Sequence, residues 1–229
     1  SDYLSPSAAC MVQRGLGLPH DAVCFDLNAA CSGFLFAIHT MECLLAQAPR
    51  KYGLVLGAEI LSRVMDFGDR STCVLFGDGA GAVVLGEDSS GKSIFRLHSD
   101  SGSAQALTLG KENAVHMNGR EIFSFAVRKV PESVKEVLEE SETAKEQVKY
   151  FILHQANARM IESIAKRLDV PVEKFPMNLE THGNTSAASI PVLLDELNRQ
   201  NRLIPGDVLI LSGFGGGLSW GSALLEWHK

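Results

Sequence analysis

The stretch Asp26-Leu-Asn-Ala-Ala-Cys31-Ser-Gly-Phe-Leu-Phe36 constrains this chain most, because a single cysteine joins an apolar run to a helix-period pattern. Ala22-Val-Cys-Phe-Asp-Leu reads as a short buried strand ending at Leu27 or Asn28. Beyond Cys31, Phe34, Ile38, Met41 and Leu45 recur at helical spacing. A cysteine at a strand-to-helix turn meets unpaired amide N–H groups and the positive end of the helix dipole. That setting is expected to lower the thiol pKa and make Cys31 a nucleophile. Small neighbours leave room for a substrate to approach. Free cysteine is also among the most commonly buried residues, so this position alone does not assign catalysis.

Two later stretches carry further chemistry. Tyr150-Phe-Ile-Leu-His154-Gln-Ala-Asn157 delivers a histidine from a strand just before a helix. Thr181-His-Gly183-Asn184-Thr-Ser-Ala-Ala-Ser189 is a small-residue loop opening another helix. Taken singly, each has a plain structural reading: a satisfied histidine after an apolar strand, and an asparagine serving as turn or N-cap. His182 reads as structural.

The rest of the chain alternates strands and helices, the pattern of an α/β layered domain. Ser5-Pro6-Ser7 starts a helix that Gly17 and Pro19 close, and the cysteine helix runs to about Gln47. Strands are expected at Tyr52–Glu59, Thr72–Phe76 and Ala80–Gly86, with an exposed polar turn over 87–92. Weaker strands follow at Ile94–Ser99 and Ala106–Leu109. Ile122, Val127, Val130, Val134 and Leu138 then mark an amphipathic helix to about Ser141. A helix over Ser186–Asn198 and strands at Val208–Ser212 and Leu218–Glu226, around a glycine turn, complete the chain. Gly77-Asp-Gly-Ala-Gly81 lacks the context and spacing of a dinucleotide loop and reads as a structural turn.

Together the three chemical stretches resemble the β-ketoacyl-acyl carrier protein synthase III family of the thiolase superfamily. That family is marked by an Ala-Ala-Cys-x-Gly-Phe setting, a His-Gln-Ala-Asn motif and a Gly-Asn-Thr-Ser-Ala-Ser motif. Phe76-Gly-Asp-Gly-Ala-Gly81 and Phe214-Gly-Gly-Gly-Leu-Ser-Trp-Gly221 extend the likeness over nearly the whole chain. The resemblance implies a thiolase-like α/β five-layer sandwich of two similar halves. Residues 1–118 would be the remainder of the N-terminal half, with the nucleophile, and 119–229 the C-terminal half, with His154 and Asn184. Relatives begin with an additional strand–helix–strand portion, so the N-terminal half is expected to be incomplete here.

The implied reaction is the decarboxylating Claisen condensation of a short acyl-CoA, acetyl-CoA first, with malonyl-acyl carrier protein, initiating fatty-acid synthesis. Cys31 would hold the acyl group as a thioester. The Cys31 and Gly216 amides would form an oxyanion hole, and His154 and Asn184 would stabilise the enolate left by CO2. Phe214 would orient the malonyl carboxylate. Arg70, Gly119, Phe123 and Asn157 match positions along the coenzyme A path, whereas Arg120 stands where many relatives carry asparagine. Arg159, Lys166 and Arg167 fall on the helix used for carrier-protein docking. No cofactor beyond the thioester substrates is implied, and a homodimer is, with a dimer mate near Tyr3–Ser5 shaping the acyl pocket. A specialised-metabolite condensing enzyme and a non-catalytic acyl-binding subunit are the alternatives.

Composition bounds the setting. At 229 residues with 45% hydrophobic and 21% charged residues, the chain can bury a substantial core. It has no apolar run of membrane-spanning length and no signal-peptide pattern at its start. The five cysteines form no Cys-x-x-Cys pair, which fits a reduced, cytoplasmic compartment. No His/Cys cluster has metal-ligand spacing. A net charge of −6 gives no general attraction to nucleic acid, and an acidic carrier protein would need a local basic patch.

Overall fold

The computed structural model of the protein describes residues 3, 5–47, 51–86, 93–109 and 115–228. The turn expected over 87–92 and part of the segment Tyr3–Ser5 lie outside them. The first helix, α1 (Ala8–Leu16), is capped by Ser7, whose hydroxyl accepts from the Cys10 N–H. Gly17 closes it in the left-handed conformation (φ 63°). Then come α2 (Gly33–Leu45) and an antiparallel pair, β1 (Tyr52–Glu59) and β2 (Gly79–Gly86). After β3 (Ile94–Ser99), β4 (Leu107–Leu109) pairs with β5 (Val115–Met117). The long helix α3 (Gly119–Glu140), β6 (Tyr150–Leu153), α4 (Ala158–Leu168) and the one-turn α5 (Leu179–His182) follow. The chain continues with α6 (Ser189–Arg199), β7 (Val208–Gly215) and β8 (Ser219–Glu226).

A four-stranded sheet of order β3-β8-β7-β6 forms the centre. β6 runs parallel to β7, and the other neighbours are antiparallel. Side chains alternate across a strand, so one sheet feeds two cores. Phe151, Leu153, Ile210 and Phe214 face α3 and α4, where they meet Val130, Val134, Val137, Ile161 and Ile164. Ile152, Leu209, Leu211 and Ala223 face α2 and α6, meeting Phe34, Leu35, Ile38, Leu193 and Leu197. Each such fully buried large side chain contributes roughly 1.5–3 kcal/mol.

Helices α2 and α6 have a second neighbour. Val55 of β1, with Val83 and Leu85 of β2, packs on their other side. The described residues therefore stack as helices, sheet, helices, sheet, the layering of a thiolase-like sandwich. The contact with the β1–β2 pair is close enough to demand glycine. A Cβ on Gly57 would stand 2.6 Å from the Ala187 carbonyl oxygen, and one on Gly81 would stand 2.7 Å from the Val192 nitrogen.

Two expected strands are not formed. Residues 22–29 pair with no strand among the described residues, and Val23, Phe25 and Leu27 are 71%, 45% and 38% exposed. A strand needs a neighbour for its ladder hydrogen bonds, and no described strand lies alongside. The segment is held instead by Asp26, whose carboxylate accepts from the Ala8 and Ala9 N–H groups at 2.7 and 2.9 Å. Residues 72–76 are turns closing to a single bridge between Phe76 and Asn184. Asp69 explains this: its carboxylate accepts from the Ser71 N–H, the Ser71 hydroxyl and the Thr72 hydroxyl. Such local bonds offer the backbone an alternative to a ladder.

Candidate active site

Cys31, His154 and Asn184, from three distant parts of the chain, line one cavity of about 70 Å³. Phe214 and Gly215 close it at the end of β7, and Gly119 and Asn157 line it from the starts of α3 and α4. The remaining wall is mostly apolar, from Phe76, Leu107, Met117, Ile122 and Met160. None of these five is marked in sequence by chemical type. Phe76 alone carried a signal, as the first residue of a glycine-rich motif.

Cys31 sits in the 3-10 turn Ala30–Ser32 that leads into α2. Ala30 before it is held at φ 47°, an uncommon conformation for a residue with a side chain. Gly215 approaches so closely that a Cβ there would stand 2.8 Å from Cys31 Cβ. Gly216 lies next to it, outside the cavity lining, against Ala30 and the Leu107 carbonyl.

The expected lowering of the thiol pKa is overturned. Burial pushes Cys31 up to about 11, the Ser186 hydroxyl pulls the other way, and the charge of Glu59 adds to the rise. The helix start is present, but for a residue only 8% exposed desolvation outweighs the hydrogen bonds of the Ser186 hydroxyl and of the local backbone. Glu59 is itself raised, chiefly by burial.

His154 continues from β6, its N–H donating to the Ser212 carbonyl of β7 at 2.8 Å. Its Nδ1 lies 2.8 Å from the Ser189 hydroxyl, which also accepts from the Gln155 N–H at 3.3 Å. The ring of Phe214 stands against it. Burial takes the imidazole down to about 4, with the Ser186 carbonyl offsetting part of the shift, so the ring is neutral at pH 7.

Asn184 is fixed on three sides. Its N–H donates to the Leu75 carbonyl and its carbonyl accepts from the Gly77 N–H, both at 2.9 Å. Its side-chain Oδ1 accepts from the Ser186 N–H at 2.9 Å, which leaves Nδ2 as the group to offer a ligand. Ser186, like Ala30, is non-glycine at positive φ (50°).

The other expected site residues divide. Asn157 lines the cavity and also caps α4, its Oδ1 accepting from the Met160 N–H at 2.9 Å. Phe123 packs on the α3 core and Arg70 lies on an exposed turn, both outside the cavity lining. Arg159, Lys166 and Arg167 are exposed on α4, the helix whose start borders the cavity. A larger groove of about 470 Å³ runs beside α3, lined by Arg120, Arg128 and Lys129 among others, and contains none of the three chemical groups. Among the described residues, no group of three His, Cys, Asp or Glu side chains is placed to hold a metal ion, and no helix is long and apolar enough to cross a membrane.

Comparison with known proteins points to one family. Residues 25–114 match the model of 3-oxoacyl-[acyl-carrier-protein (ACP)] synthase III, and residues 138–227 match the model of its C-terminal portion. The chain is 44% identical over 243 residues to β-ketoacyl-[acyl-carrier-protein] synthase III of Clostridium acetobutylicum, covering 100% of this chain and 74% of that protein. The Bacillus pumilus protein of the same name is 46% identical over 230 residues, with 100% and 73% covered. The crystal structure of the Aquifex aeolicus synthase III superposes with a TM-score of 0.94 at 41% identity, over 98% of this chain and 73% of that one. The priming β-ketosynthase of the R1128 polyketide pathway superposes with a TM-score of 0.93 at 31% identity, over 100% and 72%. With both family models matched and Cys31, His154 and Asn184 brought to one cavity, the chain belongs to the 3-oxoacyl-[acyl-carrier-protein] synthase III family of condensing enzymes.

Proposed function

We propose that the protein joins a short acyl-CoA, acetyl-CoA first, to malonyl-acyl carrier protein, giving 3-oxoacyl-acyl carrier protein, CoA and CO2. The convergence of Cys31, His154 and Asn184 on one cavity carries this reading. Cys31 attacks the acyl-CoA carbonyl and holds the acyl group as a thioester. Its thiol is protonated at neutral pH, so as the acyl–sulfur bond to CoA breaks the proton passes to the departing CoA sulfur, which leaves as the thiol. The Cys31 and Gly216 amides stabilise the oxyanion of each tetrahedral intermediate.

Malonyl thioester then replaces CoA. His154 and Asn184 donate to its thioester carbonyl, where negative charge gathers as CO2 leaves. A neutral imidazole serves as donor only if Nε2 carries the proton. The Ser189 hydroxyl meets this need: while accepting from the Gln155 N–H, it keeps its own hydrogen to give to Nδ1. Phe214 orients the malonyl carboxylate, whose loss is favoured in an apolar wall. The carbanion attacks the acyl-Cys31 carbonyl and releases the product.

Gly119 and Asn157 line the pantetheine path, with Phe123 and Arg70 farther along the coenzyme A route. Arg159, Lys166 and Arg167 dock the acidic carrier, supplying the local positive charge that the net −6 lacks. The thioesters are the only small molecules the reaction uses. The active form is a homodimer, a reading supported by the exposed apolar segment 22–29, which pairs with no strand among the described residues.

Intact mass after incubation with acetyl-CoA, beside a Cys31→Ala control, tests the nucleophile. An acetyl adduct on the parent alone is expected. Loss of malonyl-carrier decarboxylation in Asn184→Ala tests the enolate site, and an unchanged rate would remove it. Similarity to a priming ketosynthase favours, as a second reading, a specialised pathway with other acyl donors. Loading rates across a panel of acyl-CoA lengths separate the two.

A further inference from the structure

We propose that Glu196 is a positioning residue that sets the separation between His154 and Asn184, with α6 as the rigid gauge; this rests on the reading of those two side chains as the enolate donors. Two donors act on one oxygen only if both reach hydrogen-bond distance together. They come from different elements, His154 from the end of β6 and Asn184 from the loop after α5. Something must hold one relative to the other.

Helix α6 touches both. Ser189 at its start holds His154 Nδ1 at 2.8 Å. Glu196, seven residues on and therefore on the same face, holds the other donor's loop. One Glu196 carboxylate oxygen lies 2.6 Å from His182 Nε2, and the other accepts from Asn178 Nδ2 at 2.9 Å. Asn178 and His182 are the two ends of the single turn α5. The carboxylate therefore pins both ends of the segment that presents Asn184.

The brace closes on itself. Asn178 N–H donates to Gln155 Oε1 at 3.2 Å, and Gln155 N–H donates to Ser189 Oγ, back beside His154. At the other end only Gly183, at φ 64°, separates His182 from Asn184. There is no slack behind it, because a Cβ on Gly77 would stand 2.1 Å from the His182 carbonyl oxygen. Movement of His182 is thus passed to Asn184.

Glu196 is a poor candidate for a purely stabilising role. Its side chain and that of His182 are 31% and 36% exposed, and the two carry opposite charges only when His182 is protonated. Its contribution lies in where it holds α5.

The test compares Glu196→Ala, Glu196→Gln and Asn184→Ala in the full protein. Malonyl-carrier decarboxylation, acetyl loading of Cys31 and the melting temperature are measured for each. Glu196→Ala is expected to lower kcat for decarboxylation on the order of tenfold, the scale of a small donor displacement, with KM and Cys31 loading held within about twofold. Glu196→Gln keeps the reach and one acceptor oxygen and restores most of the rate. A decarboxylation rate within about twofold of the parent in Glu196→Ala overturns the proposal. So does a parallel fall of loading and decarboxylation with a lowered melting temperature. If Glu196→Ala does not fold, His182→Gln replaces it, with the same expected split and a parental kcat as the overturning result. Asn184→Ala separates the two levels. If it decarboxylates normally, the enolate site itself is wrong. If it fails while Glu196→Ala does not, only the positioning role falls.

Discussion

The ring of Phe214 stands edge-on to that of His154, with centroids 5.2 Å apart and planes at 69°. Phe214 is 1% exposed and lies in β7 just before Gly215, so it packs against the histidine ring and forms the wall beside Cys31. Phe214→Leu keeps most of the volume while removing the ring face. Decarboxylation is expected to fall on the order of tenfold with Cys31 loading retained. Stability should change by less than about 1.5 kcal/mol, as for a roughly volume-conserving swap. Paired loading and decarboxylation assays with a denaturation curve check this.

His154 has a folded pKa of about 4 against an ordinary 6.5. Between those values the unfolded ring binds a proton that the folded ring refuses, so stability is full above pH 6.5 and is lost as pH falls toward 4. The integrated loss is about 3 kcal/mol. Melting temperatures at pH 7 and pH 4.5 should differ less in His154→Asn than in the parent. An equal difference in both would mean that the ring is not the group responsible.

Cys31 behaves in the opposite sense. Its folded pKa of about 11 exceeds the ordinary 9, so its stabilising contribution is full below pH 9 and is lost as pH rises toward 11. Iodoacetamide alkylation of the resting protein should still be accelerating at pH 10, where an ordinary thiol has levelled off. A plateau near pH 8 would show a thiol far more ionised than its burial allows.

Gly215 admits no side chain. Gly215→Ala would place a carbon 2.8 Å from Cys31 Cβ and 2.9 Å from its nitrogen. Relief requires moving the nucleophile's backbone, so acetyl loading should drop by more than about tenfold, with a loss of about 1–3 kcal/mol in stability. Mass spectrometry of the loading reaction reads the first effect directly.

Charge reversal at Arg159 and Lys166 should raise KM for malonyl-carrier protein several-fold and weaken its dependence on salt. Loading from acetyl-CoA should be unaffected. Exposed charges act on encounter and are screened within about 8–10 Å at physiological salt, so a KM insensitive to both would remove α4 from the docking surface.

The sequence made the outer frame plain because local physics decides it. The apolar spacing of α3 and the uninterrupted run of β6 place the end of that helix and the strand within a residue or two. The three chemical stretches were visible as residues, and the fold brings them to one cavity. What stayed hidden depends on neighbours. The apolar run before Cys31 has the composition of a strand and, among the described residues, no partner to make it one. The Cys31 pKa follows burial, which the local pattern does not reveal. The pairing of Glu196 with His182, fourteen residues apart, exists only because α5 folds back beside α6. His182 read alone is a structural residue, and its influence on Asn184 is a property of the loop.

Ala30 and Ser186, each in a left-handed conformation, sit one residue before the nucleophile and two residues after the asparagine. A side chain held there costs about 1 kcal/mol or more that glycine would not incur. A survey for thermostabilising substitutions would therefore be drawn to glycine at both places. The hardier protein it returned would have let go of the two backbone corners that aim its reactive groups, and heat tolerance and turnover would part company at these residues.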